Sequence, residues 1–356
     1  MEESNQRNPF GFLLVLVAVI GGGLFFLSRY EIIGLSDLSV KRKDQEATGT
    51  AESQDSLISF QFTDSAPNAT LIGQIKSEKP TVLAPQVLRV GSWALCGYGA
   101  SKFDNRTARE TLVKMIRQFD ILALQQVSAK ETDLIPRLLD EINRHAGAKF
   151  EYVLGTPTGP ADRLEVPTII FNTHRCVVDR SATYMVADPQ NIMQYDTLVA
   201  YFQTKTSTVP GSIEDNAWTF FLANVRVDMS DAQREVATLQ QLMDNVRNVP
   251  SVGEDDVVLA GLLQADNSYL TANVFNDQID LAVMNAKTDV FDKYQTANIA
   301  IDKRFTTEYL GRGGPVDFRG INKLTVAQAE MISSQLPVYA EFSIEEGTIF
   351  GDTAAK

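Results

Sequence analysis

Val257-Val258-Leu259-Ala260-Gly261-Leu262-Leu263 runs apolar without a break and then gives way to Gln264-Ala265-Asp266. Its length and composition suit a strand buried on both faces rather than a surface ribbon. Three other segments fall into register with it along the chain. Gly91-Ser92-Trp93-Ala94 closes a predicted strand over Val87–Leu95, and Leu122-Ala123-Leu124-Gln125-Gln126-Val127 fills another over Asp120–Val127. Ser333-Ser334-Gln335-Leu336-Pro337-Val338 leads into the alternating run Val338–Ile344. Between them the pattern predicts strands at Phe150–Leu154, Pro167–Asn172, Thr197–Thr204, Trp218–Val227, Ile279–Val283 and Ala297–Ile301. One helix is expected after an Asn105 cap, with Ala108, Leu112, Ile116 and Phe119 on one face. A second is expected over Ala129–His145, and a third after Ser230 with Val236, Leu239, Met243 and Val246 inward. Many strands with few helices between them read as an α/β sandwich.

The N-terminus is of a different kind. No charge falls between Arg7 and Arg29, and Phe10–Leu27 is almost continuously apolar, about one membrane span. Phe26-Leu27-Ser28-Arg29 is a poor cleavage site, so the segment reads as an uncleaved single-pass anchor. The basic residues, Arg7 before it and Arg29 with Lys41-Arg42-Lys43 after it, do not fix the side of the membrane. The following stretch is rich in Ser, Thr, Asp, Glu, Gln and Lys and cannot bury enough surface to order itself, apart from a strand-like alternation at Leu57–Phe62. The expected organisation is a tail over 1–9, an anchor over 10–28, a flexible polar linker over 29–83, one domain over 84–346 and a C-terminal tail over 347–356.

A net charge of −13 repels a phosphate backbone and disfavours sequence-independent nucleic-acid binding. Cys96 and Cys176 make neither a disulfide framework nor a zinc cluster and read as small buried side chains. His145 falls at a predicted helix end and His174 in a hairpin-like turn. The triplets Asn68-Ala69-Thr70 and Asn105-Arg106-Thr107 are short enough to occur by chance.

In order and spacing, the quoted segments resemble those of the endonuclease/exonuclease/phosphatase family, deoxyribonuclease-I-like, which writes them S-F-N, Q-E-V, G-D-F-N-A-D and S-D-H-x-P-V. The resemblance spans about Pro85 to Glu345 and implies two packed mixed sheets flanked by helices. It also implies carboxylates around a divalent cation, a His-Asp pair and a further Asp on the attacking water, and Asn and Arg groups on phosphate. A hard cation wants oxygen ligands, and developing charge needs fixed donors.

The matching positions hold other residues here. The asparagine of S-F-N falls on Ala94 and the glutamate of Q-E-V on Gln126. A second metal-binding glutamate is matched by Glu165, the one group retained. A phosphate-side arginine falls on Tyr195, and the catalytic histidine on Arg226, which cannot act as a base at neutral pH. The aspartate and asparagine of G-D-F-N fall on Leu262 and Gln264, a further aspartate on Ala297, and the closing Asp-His pair on Ser334 and Gln335. Asp228 and Asp266 read as turn or cap residues, with a shifted metal site including Glu165 as the competing reading. Arg226 is expected to pair with Glu165.

The expectation is therefore a membrane-anchored domain without catalysis that acts in binding or scaffolding, with no cofactor and no metal. Two alternatives stand beside it. One is a phosphodiesterase or nuclease with Mg²⁺ or Mn²⁺ rearranged around Glu165. The other is phosphate or lipid-headgroup binding without turnover through Arg226, aided by Lys303 and Arg304. The expected contacts are the membrane through residues 10–28 and a protein or ligand that the sequence does not name.

Overall fold

The computed structural model describes residues 30–33, 39–42, 86–144, 147, 149–206, 216–249 and 253–347. The expected anchor over 10–28, the Leu57–Phe62 alternation, Asn68, His145 and the tail beyond Gly347 lie outside the described residues. Among the described residues no helix is long and apolar enough to cross a membrane. The chain divides into a first unit, Met1–Leu71, and a second, Ile72–Lys356. In the first, β1 (Tyr30–Ile33) pairs antiparallel with β2 (Ser39–Arg42), inside the stretch expected to be a tether.

The second unit is built on two six-stranded sheets. One contains β7 (Cys176–Met185), β8 (Leu198–Thr204), β9 (Thr219–Arg226), β10 (Val257–Leu262), β11 (Ile279–Leu281) and β12 (Ala297–Asp302), in the order β11-β12-β10-β9-β8-β7. The other contains β3 (Val87–Tyr98), β4 (Ile121–Val127), β5 (Phe150–Leu154), β6 (Thr168–Asn172), β13 (Tyr309–Pro315) and β14 (Val338–Ser343), in the order β13-β14-β3-β4-β6-β5. Each sheet has a single parallel pair at its centre, β9 with β10 and β3 with β4.

Alternation along the strands sorts side chains into three cores. Leu88, Val90, Ala123, Ala200, Phe220, Leu222, Val258 and Ala260 fill the space between the sheets. On β9, the intervening Phe221, Ala223 and Val225 point the other way, against Val236, Leu239 and Met243 of the helices Ala232–Val236 and Leu239–Arg247. Trp93, Leu122 and Leu124 face outward from the second sheet onto Leu112, Ile116 and Leu138 of the helices Arg106–Ile116 and Leu134–Asn143. Central strands buried on both faces explain the unbroken apolar runs of the sequence. Gly261 is required where it stands: a Cβ there would collide with the Val225 backbone carbonyl of the neighbouring strand.

Several expectations need correction. Ser230 caps no helix; it lies in a turn of 3₁₀ helix whose cap is Asp228, and the helix expected after it is broken in two around Ala237–Thr238. The helix expected from Ala129 begins only at Leu134, because Ser128 and Ala129 are still bonded to the strand-like backbone at Leu164–Glu165. His174 lies in no hairpin: the turn carries the chain from β6 in one sheet to β7 in the other. β7 and β13 had not been expected at all. Both are edge strands, largely open to solvent on one face, and β13 contains Gly311, Gly313, Gly314 and Pro315, so neither shows the apolar signature of the centre.

Candidate functional site

All ten positions singled out above meet at one end of the sandwich, where β9 and β10 end and β12 begins. Arg226, Leu262 and Ala297 are direct cross-strand neighbours on β9, β10 and β12. Val227 N donates to Leu262 O (2.9 Å), and Gln264 N to Thr296 O (2.8 Å). From the other sheet, Gln126 N donates to a Glu165 carboxylate oxygen (3.1 Å), and Cys96 N donates to the Gln126 side-chain oxygen (3.2 Å). The Cys96 sulfur lies 3.1 Å from the Ser334 hydroxyl, and the Ser333 hydroxyl donates to Ala94 O (2.7 Å). Gln335 joins the halves: its side-chain oxygen accepts from the Thr296 hydroxyl (2.6 Å) and its carbonyl from the Trp93 indole (2.8 Å). The floor is apolar, with Ala94, Leu262 and Ala297 buried.

Arg226 is the centre of charge. Its guanidinium lies 3.4 Å from Glu165 and 3.5 Å from Asp228, donates to Val227 O (2.6 Å), and stacks 4.3 Å above the buried Tyr195 ring. The expected Arg226–Glu165 pair is present. Burial pushes the Glu165 carboxyl above its usual range, and Arg226 only partly opposes this. Burial also works to raise Asp228, but hydrogen bonds from the Ser230 hydroxyl and backbone, with Arg226, outweigh it and hold that carboxyl low. Asp228 and Asp266 are caps, as expected: Asp228 accepts from Ser230 N (2.8 Å), and Asp266 accepts from Tyr269 N (2.8 Å) to open the helix Asn267–Asn273.

Other parts of the site carry no sequence signal. Glu235 is fully buried behind Asp228 and accepts from Asp228 N (2.7 Å) and Gln194 N (3.0 Å); burial raises its carboxyl. Gln125, Ser92 and Asn224 form a buried polar bridge between the sheets below the floor, with Gln125 donating to Asn224 at 2.7 Å. Lys102 donates to the carbonyls of Leu95, Cys96 and Ile332 at 2.7–3.0 Å, pinning the irregular end of β3 to the segment before Ser333. Cys176 is buried as expected, whereas Cys96 is only half-buried and faces the serines. Cys96, Gln126 and Gln264 all hold positive φ (51°, 61° and 54°), a conformation costly for such side chains. Lys303 and Arg304 do not belong here: β12 starts at the site with Ala297 and ends at Asp302, about 17 Å away, where they pair with Asp280 and Asp302.

Beside this patch opens a cleft of about 510 Å³. Its lining includes Gln264, Thr296 and Gln335 of the site together with Lys287, Lys293 and Tyr294. Tyr294 and the neighbouring Met229 are 66% and 64% exposed, which leaves an apolar lip on the cleft.

No family model matches the chain. Bovine deoxyribonuclease-1 is 24% identical over 267 residues, covering 70% of this chain and 90% of that protein. Human deoxyribonuclease-1-like 1 is 23% identical over 290 residues, covering 75% and 90%. Solved structures similar to it include an endonuclease/exonuclease/phosphatase family protein from Bacteroides thetaiotaomicron, with a TM-score of 0.48 and 13% identity over 73% of this chain and 98% of that one. The two sheets and the site at their end define an α/β sandwich of deoxyribonuclease-I-like type. In sequence and in fold the chain is similar to the endonuclease/exonuclease/phosphatase family, deoxyribonuclease-I-like.

Proposed function

We propose that this chain is a membrane-anchored member of its family that has given up hydrolysis and acts by binding or scaffolding. The observation that carries the reading is the Arg226 guanidinium, held 3.4 Å from Glu165 and 3.5 Å from Asp228. A divalent cation on Glu165 would lie against a fixed positive charge, and the carboxylates nearest to it are already neutralised. Gln126, whose backbone bonds Glu165, and the Ser334 and Gln335 side chains at the site are neutral, a poor set for Mg²⁺. The residues present do not fit the family's metal, so no hydrolytic step is derived through one. Among the described residues no imidazole stands at the site to take a proton at neutral pH, and Arg226 cannot do so.

Binding of phosphate through Arg226 is a weaker reading, because two carboxylates and a carbonyl already hold that guanidinium. The exposed Tyr294 and Met229 beside the cleft favour a partner that covers apolar surface. On this reading the apolar segment over 10–28 keeps that surface at a membrane.

The test is hydrolysis of plasmid DNA and of a generic phosphodiester by the full chain in detergent, with Mg²⁺, Mn²⁺ or Ca²⁺, and with Glu165→Ala alongside. No turnover with any metal, under conditions where an active deoxyribonuclease is readily detected, is the expected result. Metal-dependent turnover that disappears in Glu165→Ala would establish the rearranged enzyme instead.

A further inference from the structure

At the end of the sandwich opposite the cleft, Asp256 precedes β10, Glu308 precedes β13 and Glu346 follows β14. Thr219 opens β9 here and Arg226 closes it at the cleft, which separates the two ends by about 23 Å. One carboxylate oxygen from each of Asp256, Glu308 and Glu346 lies within 4.8 Å of the others. Asp256 and Glu308 are 1% and 0% exposed, whereas Glu346 is open to solvent.

Asp256 and Glu308 each keep one buried carboxylate oxygen without a hydrogen-bond partner. Asp256 accepts from the Trp218 indole through Oδ2 (2.9 Å), and its Oδ1 has no donor. Glu308 accepts from Gly347 N (2.6 Å) and the Thr307 hydroxyl (3.2 Å) through Oε1, and its buried Oε2 has no donor. Glu346 accepts from Thr219 N through Oε2 (3.3 Å). The Thr306 hydroxyl, 1% exposed, lies against Asp256 without reaching hydrogen-bond geometry. Among the described residues no lysine or arginine pairs with any of the three acids. A buried carboxylate oxygen without donor or counter-charge is costly, and here two such carboxylates stand beside a third, exposed acid.

We propose that Asp256, Glu308 and Glu346 form a Ca²⁺ site that ties β10, the start of β13 and the end of β14 together at the far end of the sandwich. The donors are all hard oxygens. Three carboxylates with a neutral hydroxyl beside them make the many-oxygen protein cage that Ca²⁺ takes readily, whereas Mg²⁺ keeps most of its waters and binds one or two carboxylates. Thr306 supplies a neutral oxygen, and the exposed Glu346 side admits the ion and its remaining water ligands. Burial, with the Glu308 and Glu254 charges adding, pushes the Asp256 carboxyl up to about 7.

The experiment is thermal unfolding and isothermal titration of the full chain in detergent at pH 7.5, stripped with chelator and then given Ca²⁺ or Mg²⁺. Glu308→Gln and Glu346→Gln are compared with wild type; Glu346 is on the surface, so its variant keeps the fold even if the buried one does not. The expected result is a rise in Tm and a saturable heat with Ca²⁺, smaller with Mg²⁺, and an affinity about tenfold or more weaker in each variant. No heat and no Tm shift at millimolar Ca²⁺ would overturn the site. So would an equal response in Glu346→Gln and wild type, which places the ion elsewhere, or a preference for Mg²⁺.

Discussion

Replacing Arg226 by alanine tests the charge balance of the site directly. At 3.4 Å the Arg226–Glu165 attraction is about 5 kcal/mol at an effective dielectric constant of 20, before the cost of removing both groups from water. The side chains are only 11% and 15% exposed, so solvent screens the pair little. Removing one partner of such a pair costs about 3–5 kcal/mol, and the lost stacking on Tyr195 adds up to about 1. We expect Arg226→Ala to lose about 3–4 kcal/mol in urea unfolding at pH 7. The double variant Arg226→Ala, Glu165→Ala should lose about 2 kcal/mol less than the sum of the singles. The pH dependence has a definite sign. Without Arg226 the Glu165 pKa rises further above its unfolded value, so its contribution is full at low pH and is lost as pH rises through the folded pKa. The deficit of Arg226→Ala relative to wild type should therefore narrow as pH falls towards about 4. Single-variant losses that add to within about 0.5 kcal/mol, or a deficit independent of pH, would refute the claim that this ion pair replaces a metal as the source of charge balance.

Gly261→Ala should cost about 3 kcal/mol or more, or prevent soluble expression, because the new methyl meets a backbone carbonyl rather than a movable side chain; circular dichroism melting checks it. Lys102→Met strands the carbonyls of Leu95, Cys96 and Ile332 and should cost about 2–3 kcal/mol in urea unfolding. In chelator, the raised Asp256 pKa stabilises the fold fully below about pH 4, and that contribution fades as pH rises through about 7. The loss approaches 4 kcal/mol at its limit, and the pH dependence should flatten in Asp256→Asn, measured by unfolding from pH 4 to 8. Deleting residues 10–28 should move the protein from the carbonate-resistant membrane fraction to the soluble one, read by immunoblot.

What the sequence disclosed depended on burial. β5 was read to the residue, and β4, β6, β8, β9, β10 and β12 within one or two, because these strands face apolar layers and leave runs that match a strand's length. β7 and β13 were invisible because an edge strand open to solvent keeps polar residues and glycine, the composition of a loop. The candidate site was legible only through motif order. The ten positions that order singles out lie together at one end of the fold, because the motifs fall at or near the ends of strands. Glu235 and Lys102 were missed because their roles come from what they touch across the fold, Asp228 and Gln194 for one and three carbonyls for the other. The Asp256–Glu308–Glu346 cluster was missed for the same reason: its members are scattered over 91 positions and meet only where β10 and β13 begin and β14 ends.

The replacements at the cleft make sense as a set, and less so one by one. Several carboxylates can share a buried pocket only while a cation compensates them; with the cation gone, each unpaired carboxylate is a liability of several kcal/mol. On the proposed reading, that is why Ala94, Leu262 and Ala297 are apolar, why Gln126, Ser334 and Gln335 are neutral, and why the one remaining glutamate faces an arginine. The backbone at these positions needs a separate explanation. Cys96, Gln126 and Gln264 keep positive φ although nothing in their side chains favours it. Such strain persists only where the surrounding structure imposes it, here the register of β3 on β4 and of β10 between β9 and β12. If the cleft served no purpose, substitution to asparagine or glycine at these positions would relieve strain without loss, and Gln264→Gly should then raise stability by up to about 1 kcal/mol. A variant stabilised in this way that also loses membrane-recruited partners would separate the two demands, and would mark the strained turns as the part of the old site kept for binding.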